Sequence, residues 1–385
     1  MSDAHEQLVQ QFAAEFWFGS PADFFDKLDP DSKSVFLQQI QSNNLQALAY
    51  YALNERLPEA ERSAFASVYQ HKGAMTFRAM ALFRELNQLF QAEQIRFAPI
   101  KGVDMVRRFY PAGALRIFCD FDILFHPDDC VRALEVLQKN GWVPAGKVDL
   151  AEKHHHYTAH CKNGIVIEPH WTMSYFNNVN THAIWEEITP EAPGSMLHIL
   201  SAELNILQLC RHAAANDYTH LPQLKFLQDA AAIISNSQID WQKVRCLSEK
   251  WQMPYPGNIL GAWERFFPAA VIENMQCDES VTEKFRQLFS CNMQHGSAGS
   301  SEWAVNRAGV NKGSLILQAL KHMTPGALFG KYHLTGWWRW LLLPGIFGVD
   351  LLSKGRRLVK YILNPNKKIR RYQQLVDDLE KSHEK

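Results

Sequence analysis

Arg116-Ile117-Phe118-Cys119-Asp120-Phe121-Asp122-Ile123-Leu124-Phe125 is the stretch on which the reading of this chain turns. Aromatic and branched residues alternate with others at period two, which predicts a β-strand. One face then carries Ile117, Cys119, Phe121, Ile123 and Phe125, and the other Phe118, Asp120, Asp122 and Leu124. Carboxylates two positions apart on one strand face lie roughly 6.5–7 Å apart along the chain. Unpaired, they repel each other and oppose strand formation, so buried structural strands rarely carry such a pair. Shared ligation of divalent cations turns that repulsion into attraction, and a two-metal site for phosphoryl chemistry wants this spacing. A solvated edge strand with two surface acids is the other reading of the same pattern.

Immediately upstream, Ile95 to Ile100 reads as a short strand ended by Lys101-Gly102, with a helical turn or two from Val103 to Tyr110. Gly102 would let backbone amides approach a phosphate at that helix N-terminus, with Lys101 adding charge. Further back, residues 4–95 are helical in period: Leu8, Phe12 and Phe16, then Val35, Phe36 and Ile40, then Leu45, Leu48 and Leu53. Gly19-Ser20-Pro21 and Asp29-Pro30-Asp31 punctuate them as turns or caps. A long amphipathic helix is expected from Pro58 to Gln94, with Met75, Phe77, Met80, Leu82, Phe83, Leu86, Leu89 and Phe90 as its apolar surface.

Downstream, Pro127 to Asn140 reads as a helix with Val131, Leu134, Val136 and Leu137 inward, closed by Gly141. Tyr157–Cys161 and Ile165–His170 are expected strands around Asn163-Gly164, a strong hairpin signal. Val166, Glu168 and His170 share one face of the second strand, which makes Glu168 a third strand carboxylate. The run His154-His155-His156 could bind a metal, but it lacks a typical zinc-ligand spacing and reads as a solvated loop. From Gly194 onward helices return, with apolar stripes over Ser201–Ala215 and Leu221–Ser235 joined by residues 216–220. On these helices His212 reads as a satisfied core histidine and Asp229 as a capping or surface residue, unless the site claims them. Residues 294–311, rich in Gly, Ser and Asn, read as a flexible loop.

At 385 residues the chain has room for two or three cores. Forty basic and forty acidic residues cancel, so a global polyanion-binding surface is not indicated, which leaves local patches open. Cys119, Cys130, Cys161, Cys210, Cys246, Cys277 and Cys291 are scattered and odd in number, which fits buried thiols in a reducing cytoplasmic setting better than disulfides or structural zinc. The opening Met1-Ser-Asp-Ala-His-Glu6 has no basic or apolar region of the signal-peptide kind. Near the other end, Gly336 to Val349 is apolar and Trp-rich but interrupted by Arg339 and Pro344-Gly345, short of the ~20 apolar residues of a spanning helix. Basic residues surround it from Lys331 to Arg371, against the single acid Asp350. Packing on the helical domain, peripheral contact with the inner membrane face through residues 331–371, and nucleic-acid binding are the three readings.

Lys-Gly ending a strand, a strand bearing Asp-x-Asp and a later strand bearing an isolated Glu together resemble the nucleotidyltransferase superfamily with the DNA polymerase β-like core. More narrowly, the chain is similar to a bacterial family of uncharacterised nucleotidyltransferases. The carrying residues are Ile100-Lys-Gly102, Arg116-Ile-Phe-Cys-Asp-Phe-Asp122 and Ile167-Glu-Pro-His-Trp171, with Leu209-Cys-Arg-His212 and Leu227-Gln-Asp229 in the helical C-terminal half. The resemblance covers roughly residues 5–260 and implies an α+β fold, a small mixed-sheet core flanked by helical regions. The expected division is an N-terminal helical region (1–94), the nucleotidyltransferase core (95–193), a helical domain (194–330) and a basic Trp-rich tail (331–385).

The resemblance implies transfer of a nucleoside monophosphate from an NTP to an unidentified acceptor. Asp120, Asp122 and Glu168 would be catalytic and hold Mg²⁺ or Mn²⁺. Lys101, Gly102 and Arg116 would be the nucleotide-phosphate contacts, and His170, His212 and Asp229 contacts of second rank. Without metal, the three acids should raise one another's pKa values. Asn in place of Asp120 or Asp122 should then leave the metal-free fold no less stable. A non-catalytic nucleotide-binding or scaffold protein of the same fold is the alternative, and a metal-dependent hydrolase using the histidine run is a third reading.

Overall fold

The acidic stretch becomes a strand only from Asp120; Arg116 to Cys119 run into it as a loop, preceded by a 3-10 turn at Gly113–Leu115. The computed structural model describes residues 3–144, 157–173, 176, 179–215 and 224–293. The chain divides into two units, Met1–Glu283 and Lys284–Lys385. The His154–His156 run, residues 216–220, the 294–311 stretch and the Trp-rich basic tail lie outside the described residues. Among the described residues no helix is long and apolar enough to cross a membrane.

Four helices open the chain: α1 (Asp3–Phe18), α2 (Pro21–Lys27), α3 (Pro30–Ser42) and α4 (Gln46–Leu53). Ser20 and Asp29 cap α2 and α3 by accepting from the amides of Asp23 and Ser32, with proline at the first helical position each time. Phe12, Phe36, Ile40, Leu48 and Phe65 form their common core. The last of these belongs to α5 (Glu59–Ala92), the long helix expected over 58–94. Its buried stripe is Ala79, Leu82, Phe83, Leu86 and Phe90, at steps of three and four. Met75 and Phe77 fall off that stripe and are 47% and 70% exposed, so neither belongs to the packing surface expected of them.

The central sheet is mixed, in the order β1-β2-β5-β4-β3. Its strands are β1 (Phe97–Pro99), β2 (Asp120–Phe125), β3 (Val143–Pro144), β4 (His160–Lys162) and β5 (Ile165–His170). Only β2 and β5 run parallel among the paired strands; the other pairings are antiparallel. Between β1 and β2 lies the short α6 (Gly102–Arg108), and after β2 comes α7 (Cys130–Lys139). Gly141 ends that segment at φ +81°, as its position predicts. Val131 is 67% exposed rather than inward, because the buried stripe of α7 is Ala133, Val136 and Leu137. The β4–β5 hairpin turns on Asn163 and Gly164, both at positive φ.

The two sheet faces differ in chemistry. Phe97, Phe121, Ile123, Phe125 and Ile167 point to the face covered by α5 and α7. Ala98 and Leu124 point to the other, where they join Leu204 and Leu207. The latter two lie on α9 (Ala202–Ala215). In chain order, α8 (Thr181–Trp185) and a two-stranded sheet, β6 (Ile188–Pro190) with β7 (His198–Leu200), come between β5 and α9, and the residue pattern did not announce that sheet. Asp104, fully buried on α6, accepts from Arg108 and from Asn205 of α9, which fastens the lysine-glycine corner to the helical part. The described chain then continues through α10 (Leu224–Asn236), α11 (Trp241–Lys250), α12 (Pro256–Gly261), α13 (Ala269–Met275) and α14 (Glu279–Met293). The protein is thus α+β, a small mixed sheet among helices, as expected.

Candidate active site

Parallel pairing sets the acids in line. Asp120 is opposite Val166, Asp122 opposite Glu168 and Leu124 opposite His170. Register partners on neighbouring strands share a face. Asp120, Asp122, Glu168 and His170 therefore stand on one side of the sheet, as the alternation in each strand predicts. Burial deepens along the row: Asp120 is partly buried, Asp122 is 5% exposed and His170 fully buried.

Lys101 enters this row from β1. The Ile100 amide donates to the Asp122 carbonyl at 2.9 Å, so the chain turns beside Asp122 immediately before Lys101. Lys101 has φ +55° and ψ −125°, a conformation that favours glycine, although the neighbouring glycine is Gly102. From there its Nζ donates to Asp122 Oδ1 at 2.7 Å. His170 Nε2 lies 3.0 Å from the same oxygen and 3.8 Å from Glu168 Oε2.

These neighbours split the two aspartates. Burial raises the Asp120 pKa, and Asp122 and Glu168 add to the effect, with Lys101 opposing it. Burial also works against the Asp122 carboxylate, but the His170 bond and Lys101 outweigh it and hold its pKa far below the usual carboxylate range. The mutual raising expected of the acids is thus found at Asp120 and reversed at Asp122. Burial disfavours the His170 imidazolium, yet Asp122 and Glu168 stabilise it more, and its pKa rises.

The residues expected to touch phosphate have other engagements as well. Arg116 is buried, and its Nε and Nη2 donate to Asp229 Oδ1 and Oδ2 at 2.8 and 2.9 Å, a bidentate pair. Tyr110 donates its hydroxyl to the same Asp229 Oδ1 at 2.8 Å. Burial opposes the Arg116 charge, but Asp229 more than restores it. Asp229 is therefore no helix cap or surface residue; it ties α10 to the loop that leads into β2. A Cβ on Gly102 would sit 2.5 Å from the Phe118 Cβ, so this glycine is required by close packing of that same loop.

Asp120, Asp122 and Glu168 border one cleft of about 510 Å³, with these acids of β2 and β5 on one wall and α9 and α10 on the other, while His170 and Tyr110 stand behind its lining. His212 lines it, as do Lys101, Gly102, Arg116 and Asp229. Cys119 also lines it and is exposed, unlike the buried Cys130 and Cys210. Sequence reasoning missed Tyr110, Asn205 and Lys225. Lys225 was within reach of it, one helical turn before Asp229 on α10 and hence on the same side.

One ligand atom each from Asp122, Glu168 and His170 lie within 4.8 Å of one another. Two carboxylates with an imidazole, and Asp120 one strand position pair away, make a donor set for a divalent cation. A cation there would replace Lys101 as the counter-charge of Asp122. A search of curated protein sequences finds no significant match to the chain. Residues 29–254 match the family described as uncharacterised nucleotidyltransferase, a span that includes the Lys-Gly corner, the acid row and the Arg116–Asp229 pair. That span is more than half of the chain, and on it the protein belongs to this nucleotidyltransferase family.

Proposed function

We propose that the protein moves a nucleoside monophosphate from an NTP to an acceptor hydroxyl or similar group, with Asp120, Asp122 and Glu168 as the metal-holding acids. The observation that carries this reading is the parallel register that sets Asp122 beside Glu168 and Asp120 on the same face, all open to one cleft. In this reading residues 95–193 are the core, of the DNA polymerase β-like kind, and residues 1–94 and 194–330 are helical flanks.

A bound Mg²⁺ or Mn²⁺ supplies charge neutralisation for the triphosphate and lowers the pKa of an oxygen it binds. The chain's own groups do the remaining work. Lys101, displaced from Asp122, is the nearest cation for phosphate oxygens on that side of the cleft. His170 holds Asp122 ionised from behind and turns its carboxylate toward the cleft. Arg116 acts chiefly through position: bound to Asp229, it sets the loop from which Asp120 enters the strand. The helical wall faces the acids across the cleft, so a nucleotide filling that space would displace water and strengthen the charge interactions at the reacting phosphate.

Incubation of the pure protein with each α-labelled NTP and Mg²⁺ or Mn²⁺, alone and with cell extract, tests the proposal. Pyrophosphate release with label transferred to an acceptor is the expected result. Release of inorganic phosphate or nucleoside diphosphate would point to hydrolysis. No turnover with any NTP in the presence of extract would leave the fold as a non-catalytic scaffold.

A further inference from the structure

Within the nucleotidyl-transfer reading, we infer that Lys225 is the residue of the helical wall that binds the nucleotide's phosphate chain beyond the α-phosphate. The inference rests on that reading and starts from the cations of the cleft. Three basic side chains line it together: Lys101, Arg116 and Lys225. Lys101 is 2.7 Å from the Asp122 carboxylate. Arg116 is paired through two nitrogens with Asp229. Lys225, by contrast, has no ion pair among the described residues. Of the four acids that line the cleft, Asp122 and Asp229 already hold Lys101 and Arg116, which leaves Lys225 as the lining lysine not engaged in an ion pair among the described residues.

Its position is fixed by the same pair that occupies Arg116. Lys225 is one helical turn before Asp229, and the Arg116–Asp229 bond pins that face of α10 to the cleft. The residue is exposed at the cleft, where partial burial and the Arg116 charge lower its pKa, against the opposing pull of Asp229 and Asp120. A cation at the edge of an aqueous cleft with the Arg116 charge beside it is stabilised by an arriving polyanion. Lys225 and the acid row belong to opposite walls, so a nucleotide whose α-phosphate is at the acids would extend its remaining phosphates toward α10.

The test is calorimetric binding of the α,β-methylene analogues of ATP, GTP, CTP and UTP in turn, with Mg²⁺, and of the matching monophosphates. Wild type, Lys225→Ala, Lys225→Met and Lys225→Arg are compared, each first checked for an unchanged thermal midpoint. Wild-type binding of at least one triphosphate analogue is the first requirement, and its failure for all four would remove the nucleotidyl-transfer reading and this assignment with it. Given that binding, Lys225→Ala and Lys225→Met should weaken the triphosphate analogue by about 10- to 100-fold and the monophosphate by less than about twofold. Lys225→Arg should recover most of the loss, because the charge is retained. Wild-type triphosphate affinity in both neutral variants, or an equal loss for mono- and triphosphate, would overturn the assignment while leaving the parent reading intact.

Discussion

Lys101 and Asp122 form a 2.7 Å ion pair on the floor of the cleft, and the lysine makes it from a backbone conformation with φ +55°. Residues other than glycine hold such a conformation at a cost of about 1–3 kcal/mol, and only where the surroundings over-determine it. Here the Ile100 amide on the Asp122 carbonyl and the Lys101 ammonium on the Asp122 carboxylate grip the turn at two points. The two aspartates of the strand consequently stand in opposite electrostatic conditions although they share a face.

That difference can be measured as stability. Asp122→Asn removes a buried charge on which both Lys101 and His170 depend, so the metal-free protein should lose about 2 kcal/mol. Asp120→Asn removes a carboxylate whose ionisation burial, Asp122 and Glu168 all disfavour, so the metal-free protein should be equally stable or more so. Denaturant midpoints in EDTA check both. The same direction of change for the two variants would contradict the separation of roles. Of the two changes, the opposite pKa directions predict that only the one at Asp120 spares the metal-free fold.

His170 predicts a pH dependence. Its pKa in the fold lies above the ordinary histidine value, because Asp122 and Glu168 outweigh its burial. A group that binds its proton more tightly when folded contributes its full stability below the unfolded pKa and loses it as pH rises through the folded one. Thermal midpoints in EDTA should therefore decline as pH increases from about 6.5 into the alkaline range, and His170→Gln should flatten that decline. On the acid side the depressed pKa of Asp122 works the other way: its contribution, complete above the ordinary aspartate range, is lost as pH falls through its folded value. A His170→Gln protein with the wild-type slope would remove the imidazolium from the account.

The Arg116–Asp229–Tyr110 cluster should behave as one unit. Truncating Arg116 to Ala leaves Asp229 buried without its charge partner, a loss of about 3–5 kcal/mol for a buried pair. Arg116→Lys should recover little, because an ammonium cannot make two parallel bonds to the carboxylate. A double-mutant cycle of Arg116→Ala with Asp229→Ala should give a coupling of about 2 kcal/mol or more, and near-additive effects would show that the pair does not hold α10 to the loop.

How far the sequence reached can be traced residue by residue. The alternation in β2 and β5 put Asp120, Asp122, Glu168 and His170 on matching faces, because strand periodicity is local and leaves side chains little choice. The long helix and the Asn-Gly hairpin were legible for the same reason. Parallel pairing of β2 with β5, the β6–β7 sheet and the depth of Asp229 depend on contacts between distant segments, where Arg116 and Asp229 carry no local mark of one another. Met75, Phe77 and Val131 were misplaced because hydrophobic character alone does not select which stripe of a helix meets the sheet. Lys101 was read for its charge, and its backbone conformation was hidden because a lysine seldom adopts it.

Gly102 separates two explanations that a lysine-glycine motif leaves entangled. A glycine kept so that backbone can approach phosphate would tolerate alanine in the nucleotide-free protein. In the structure a Cβ at this position meets the Phe118 Cβ at 2.5 Å and its ring carbon at 3.2 Å, so the loop before β2 must move. Gly102→Ala should then destabilise the metal- and nucleotide-free protein by about 1–3 kcal/mol, the usual range for overpacking a close contact. Phe118→Ala should not rescue it, because alanine retains the Cβ that makes the nearest contact, whereas Phe118→Gly in the Gly102→Ala background should recover part of the loss relative to its own single variant. Urea midpoints of the four proteins in EDTA form the cycle. Wild-type stability in Gly102→Ala would return the glycine to phosphate approach alone.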